Sequence, residues 1–173
     1  YAGGYNAPTY PPGNASNAEQ YNGSSWTNLP TINTARRAGA GGGTTTSMVV
    51  AGGYGGSPST NPAQSEIWNG SSWSESSEIN TGRAFITGGG SDSDSVLIFG
   101  GGPVPGVTAK TEFWNGTSWT EVADMATASE TSFGTTQATG TASLRARTPG
   151  AGPPGVTEEW TTAATATKTF TVS

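Results

Sequence analysis

An aromatic residue followed by Asn-Gly-(Ser/Thr)-Ser-Trp occurs three times in this chain, as Tyr21 to Trp26, Trp68 to Trp73 and Trp114 to Trp119. The leading aromatics stand 47 and 46 residues apart, and a fourth, decayed copy begins at Trp160, another 46 residues on. A glutamate keeps the same interval two positions ahead of each aromatic, at Glu19, Glu66, Glu112 and Glu158. A period of about 40–50 residues means that one supersecondary unit recurs and that neighbouring units bury each other's apolar faces. It constrains architecture strongly and chemistry hardly at all.

One repeat resolves into strands. Ala84-Phe85-Ile86-Thr87 reads as a short strand ending at Gly88-Gly89-Gly90, and Ser91-Asp92-Ser93-Asp94 as a turn. Ser95-Val96-Leu97-Ile98-Phe99 is a continuously apolar strand that stops at Gly100-Gly101-Gly102. A Pro/Gly loop leads to Lys110–Trp114; Asn115-Gly116 predicts a type I′ turn with positive φ at both positions, and Ser118–Val122 closes the unit. Four antiparallel strands in about 46 residues make one blade of a β-propeller. The repeat before it matches through Met48–Gly53, Glu66-Ile67-Trp68 and Ser72-Trp73. The first repeat supplies only its last two strands in full. In the last, Leu144–Arg147 replaces the apolar strand, Thr161-Thr162 replaces the turn, and Lys168–Val172 serves as the closing strand. The expected fold is therefore all-β: about three and a half four-stranded blades in one repeat domain, 1–173, forming part of a larger ring. Its units are a partial blade at 1–32, blades at 33–79 and 80–125, and a degenerate C-terminal blade at 126–173.

Composition removes several function classes. Only 11% of the 173 residues are charged, against about 25% in an average globular protein. A disordered chain would not space its tryptophans so evenly. The net charge is −5 and the basic residues are scattered, which argues against nucleic acid as a partner. No apolar run approaches the roughly 20 residues of a membrane span. Cysteine and histidine are absent, so a disulfide framework, a zinc site, a thiol nucleophile and a Ser-His-Asp triad cannot be built from these residues. No cofactor is expected. The chain opens at Tyr1 in the middle of a repeat, which reads as a fragment or a processed product.

The pattern resembles the kelch repeat family, whose blades run from an Arg-containing segment through a double glycine to a Tyr and a downstream Trp. The matching residues are Arg83, Gly100-Gly101, Trp114 and Trp119 in one repeat and Arg36, Gly52-Gly53, Trp68 and Trp73 in another. The resemblance covers nearly the whole chain. It departs in the five-residue aromatic-to-Trp spacing, shorter than the family's, and in Ser129, which stands where the arginines do. The combination of aromatic-Asn-Gly-(Ser/Thr)-Ser-Trp with Asn-Thr-Ala-Arg is also similar to kelch-like proteins of bacteriophages, as is the ending from Thr157-Glu158-Glu159-Trp160 to Ser173. That likeness implies a virion or host-contact protein, by analogy of kind. The hairpin partly matches the sialidase Asp-box too. Gly70, Ser72 and Trp73 fit, but Trp68 sits where its Asp belongs.

Each candidate residue has a functional and a structural reading. Tyr21, Trp26, Trp68, Trp73, Trp114, Trp119 and Trp160 could stack on sugars, but identical placement in every repeat favours packing between blades. Asn14, Asn22, Asn69 and Asn115 match the glycosylation sequon, although turn chemistry accounts for the last three. Asp92 and Asp94 could hold calcium; a solvated hairpin tip is the simpler account. The four glutamates are expected to be structural, pairing Arg36 and Arg83 between blades rather than acting as acid and base. Segments 5–16, 54–63, 103–108 and 149–155 occupy one place in the repeat, so they should emerge on one propeller face. Their variety on a constant framework marks them for recognition. Tyr5, Tyr10 and Tyr54, with Pro103 and Pro105, are the expected contact residues.

The resulting expectation is a non-enzymatic structural or adhesive protein of a phage particle (tail fibre, receptor-binding or decoration protein) or another extracellular assembly. It would recognise a host glycan or a neighbouring subunit through these loops. Other copies or an upstream segment of the same protein would complete the ring, since propellers have about four to eight blades and two copies would supply seven. Other virion proteins are further partners; nucleic acid and a membrane span are not expected. The alternative is a glycan-active enzyme, a sialidase-like or galactose-oxidase-like propeller. The second needs copper ligands that include His. The first needs an arginine cluster, and Arg36, Arg37, Arg83, Arg145 and Arg147 are scattered. An intracellular adaptor is a third reading, disfavoured by the low charge and Ser/Thr richness.

Overall fold

The computed structural model describes residues 2–6, 13–55, 62–102, 106–130, 133–136, 142–146, 157–161 and 168–170. All regular structure in them is β. In the first repeat, β1 (Tyr5–Asn6) pairs with β2 (Gly13–Asn14), and β3 (Ala18–Tyr21) pairs with β4 (Trp26–Leu29). Then β5 (Arg36–Arg37) leads into a meander of β6 (Ala40–Gly43), β7 (Met48–Ala51), β9 (Ser65–Trp68) and β10 (Trp73–Ser76); β8 (Tyr54–Gly55), just after β7, turns back to pair with β5. The next sheet is β11 (Thr87–Asp92), β12 (Ser95–Phe99), β13 (Thr111–Trp114) and β14 (Trp119–Val122). The last is β15 (Phe133–Thr136), β16 (Ala142–Ala146), β17 (Thr157–Thr161) and β18 (Lys168–Phe170). The three four-stranded sheets are antiparallel throughout and ordered as in the chain.

Two ends of each sheet follow from the pairing. Gly43, Met48, Trp68 and Trp73 share one end of the second blade, while Ala40, Ala51, Ser65 and Ser76 share the other. The Asn-Gly hairpins lie at the first, or turn, end. Ala51 with Ser65, Phe99 with Thr111 and Ala146 with Thr157 bracket the long connections at the second, or loop, end.

Each sheet of the middle of the chain is apolar on both faces because it is sandwiched between neighbours. Val49 and Ala51 join Val96, Ile98, Trp114 and Trp119 of the following blade. Val50, one residue out of phase, joins Trp68 and Trp73 of its own sheet with Ala18 and Ile32 of the preceding repeat. This explains why Val96 to Phe99 are consecutive and all buried rather than alternating with polar residues. The Trp68–Trp73 and Trp114–Trp119 pairs face the blade before them. The indole N–H of Trp119 donates to Ser65 Oγ at 3.2 Å, and that of Trp73 to the Pro30 carbonyl at 3.0 Å, because Ala18 stands in place of a hydroxyl.

The double glycines turn out to be blade junctions. Gly4 N–H donates to the Arg36 carbonyl, Gly53 N–H to that of Arg83 and Gly101 N–H to that of Ser129, at 2.7, 2.9 and 2.8 Å. The acceptor is backbone, which is why Ser129 can replace the arginine. Gly52 has φ +58, and a Cβ there would lie 2.8 Å from the Arg83 carbonyl and 2.5 Å from Ile86 Cδ1. Gly52→Ala therefore meets a left-handed backbone cost of about 1–2 kcal/mol plus that collision. Urea unfolding should show a loss of at least about 2 kcal/mol.

Several expectations need correction. Gly88, Gly89 and Gly90 do not end the first strand; they form it, with Thr87, Ser91 and Asp92, and Ala84 makes only an isolated bridge to Gly102. The inner strands of successive blades press together here. A Cβ on Gly42 would strike the backbone of Gly90, so only glycine fits the approach. The turn shrinks to Ser93-Asp94. The Asn-Gly hairpins are not type I′: only the glycines, Gly23, Gly70 and Gly116, have positive φ, at 99°, 93° and 90°. The turn is centred one residue later, on Gly-(Ser/Thr), and Asn Oδ1 accepts the N–H groups of the two residues that follow the glycine. Leu144 to Ala146 remain a strand within β16 despite their weaker apolar pattern, and Thr161 extends β17 where a turn was expected. Thr162 lies outside the described residues.

Candidate functional site

At the loop end, β5 and β8 bring Arg37 opposite Tyr54. The guanidinium carbon lies 4.3 Å from the Tyr54 ring centroid, and Arg37 Nη1 donates to Asn14 Oδ1 at 3.2 Å. Both Arg37 and Tyr54 are half-buried, an arrangement in which the ring face holds the cation and leaves edges to solvent. Of the expected contact residues, Tyr54 thus lies in a polar cluster. Tyr5 pairs through its backbone with Asn14 in β1–β2. Tyr10, Pro103 and Pro105 lie outside the described residues. Sequence reasoning missed Arg37 and treated Asn14 only as a sequon. The available signal was that Arg37 does not recur, since Ala84 stands at its place in the next repeat and Gly102 at that of Tyr54.

Three of the four repeated glutamates, Glu66, Glu112 and Glu158, are buried. Glu66 accepts Arg36 Nη2 at 2.7 Å and the N–H groups of Asn33 and Thr34 at 2.7 and 2.9 Å. Glu112 accepts Arg83 Nη1, the Asn80 N–H at 2.7 Å and Asn80 Nδ2 at 2.8 Å. Glu66, Glu112 and Arg83 have no solvent exposure, and Arg36 is 3% exposed. The expected pairs form, but not between blades: each joins the linker of a repeat to that same repeat's third strand.

At the turn end, Trp68, Trp73, Trp114 and Trp119 are buried and Trp160 is half-buried. The three aromatic pairs have ring centroids 5.3, 5.4 and 5.2 Å apart, all tilted by 41°. Tyr21 and Trp26 correct the packing expectation, since they are 49% and 59% exposed. Within the described residues no blade precedes theirs to cover them. A groove of about 400 Å³ adjoins this hairpin, lined by Tyr21, Trp26, Leu29, Met48, Trp68 and Trp73 among others. Asp94 N–H donates to Asp92 Oδ1 at 3.1 Å in an exposed turn. The described residues contain no group of three His, Cys, Asp or Glu placed to hold a metal, and no helix long and apolar enough to cross a membrane.

No protein-family model matches the sequence, and no curated protein matches it. Among solved structures, that of YjhT superposes with a TM-score of 0.69 at 12% identity, over 91% of this chain and 53% of that one. The fold is propeller-like. At such identity the likeness extends to the fold alone, and this chain spans about half the length of that protein.

Proposed function

We propose that this protein is a non-enzymatic binding and structural module, a kelch-like segment of a phage particle or another extracellular assembly, that recognises a surface glycan or a neighbouring subunit through its loop end. The observation that carries this reading is the division between repeated and unrepeated polar groups. Two of the four recurring carboxylates, Glu66 and Glu112, are locked into buried ion pairs and linker N–H groups, so they hold the scaffold. Among the described residues, Arg37, Tyr54 and Asn14 occur as a cluster once, at the end from which the variable connections leave. Unrepeated polar and aromatic groups on a constant framework are where specificity is expected.

The test is binding to a glycan array and to whole bacterial cells, with Tyr54→Ala beside the parent. Binding should fall at least about tenfold while the melting temperature stays within a few degrees. Release of sugars from a polysaccharide panel would replace this reading with the glycan-active enzyme. Unchanged binding by Tyr54→Ala would remove the loop cluster from it.

A further inference from the structure

Among the described residues the first repeat has only the two outer strands of a sheet, β3 and β4, and the structure shows twice what fills the other half. In the second blade β7 lies beside β9 with Ala51 opposite Ser65 and Met48 opposite Trp68; in the third, β12 lies beside β13 with Phe99 opposite Thr111 and Val96 opposite Trp114. The Ala2–Ala18 bridge is the same contact in the first repeat. Gly3 follows it as Gly52 and Gly100 follow theirs, donating its N–H to Asn17 as those do to Gln64 and Lys110. Beyond Ala18, the described partners of Gln20 and Tyr21 are Thr27 and Trp26 in β4, on one side of β3 only. The groove of about 400 Å³ opens beside this strand, between the β3–β4 hairpin (Gln20, Tyr21, Trp26 and Leu29) and Met48, Trp68 and Trp73 of the following blade. A strand edge beside an apolar groove is the geometry of strand addition.

We propose that this groove is a strand-accepting slot, and that its occupant is a β-hairpin of the kind formed by β11 and β12, donated by another segment of this repeat type. The register is already set. Carrying the Ala2–Ala18 pairing onward places the incoming residues opposite Gln20 and Tyr21, where β12 has Leu97 opposite Phe113 and Val96 opposite Trp114. The residue opposite Gln20 faces the following blade, as Val49 opposite Ile67 does, and so enters the groove over Trp68 and Trp73. It must be apolar. The inner strand of the hairpin must be glycine-rich, because it would press on β6 from the preceding side as β6 presses on β11, where a Cβ on Gly42 would strike Gly90.

The experiment grafts the sequence Thr87–Leu97 directly before Tyr1, which places its Leu opposite Gln20 and its Val opposite Tyr21. A second graft carries Asp in place of that Leu. The first should raise the melting temperature by several degrees and slow hydrogen exchange of the Tyr21 amide, whose N–H faces the open edge, by at least about a hundredfold. The Asp graft should do neither, because an unpaired charge would enter an apolar groove. Two grafts that behave alike, or a Leu graft whose Tyr21 amide exchanges at the parent's rate, would overturn the proposal.

Discussion

Glu112→Ala is expected to destabilise the protein by about 3–5 kcal/mol, because it strands a fully buried charge on Arg83. The same change takes the acceptor from the Asn80 N–H, which carries the linker between two blades. Thermal unfolding should show a fall in Tm of roughly 6–20 °C for a chain of this size. The ion pair of Lys110 with Glu121 supplies the contrast. It spans 2.9 Å, but both side chains are more than a third exposed, and Lys110→Ala should leave Tm unchanged. As hydrogen-bond acceptor, Glu121 raises the Lys110 pKa above its ordinary value. The stability tied to the lysine's charge is therefore present below the unfolded lysine pKa and is lost as pH climbs through the raised one. Replacing both buried partners together, Arg83→Met with Glu112→Leu, should recover much of the loss. Equal effects of Glu112→Ala and Lys110→Ala would sink the claim that burial sets the weight of these pairs.

Trp114→Ala should cost about 3–5 kcal/mol, the price of emptying a large core site, whereas Trp26→Ala should cost less than about 1 kcal/mol. The two residues belong to the same sequence motif and to aromatic pairs of the same geometry. Trp114 is 1% exposed, packed among Val49, Ala51, Val96 and Ile98, while Trp26 is 59% exposed. Denaturant titrations of the two variants check this directly. If Trp26→Ala proved as damaging as Trp114→Ala, aromatic packing within a hairpin, not burial beneath a neighbouring blade, would be what the motif contributes.

Much of the fold was legible because local rules and the repeat agreed. Ser95–Phe99 is a strand in the sequence reading and in the structure, since a short apolar run rich in β-branched and aromatic residues, between a Ser/Asp turn and Gly100, has few other outcomes. Gly88 to Gly90 misled for the opposite reason. Glycine usually breaks strands, and here the close approach of two inner strands demands it. The candidate site was only partly legible. Tyr54 was singled out for its loop, but its partner Arg37 is seventeen residues earlier, and nothing local joins them until β5 and β8 pair.

By itself, the amino-acid sequence determined the unit: its period, its number of strands, the place of its Asn-Gly hairpin and the residues that would have to be apolar. These follow from interactions within about 50 residues, which the second and third repeats carry in full. Only the tertiary structure decided what each copy of the unit does. Trp68, Trp114 and Tyr21 occupy one motif position, yet two are buried and one is exposed, because burial belongs to the contact between blades and the first hairpin has no described blade before it. The junction glycines, the locked glutamates and the open edge of β3 are decided the same way, by which neighbour lies against them.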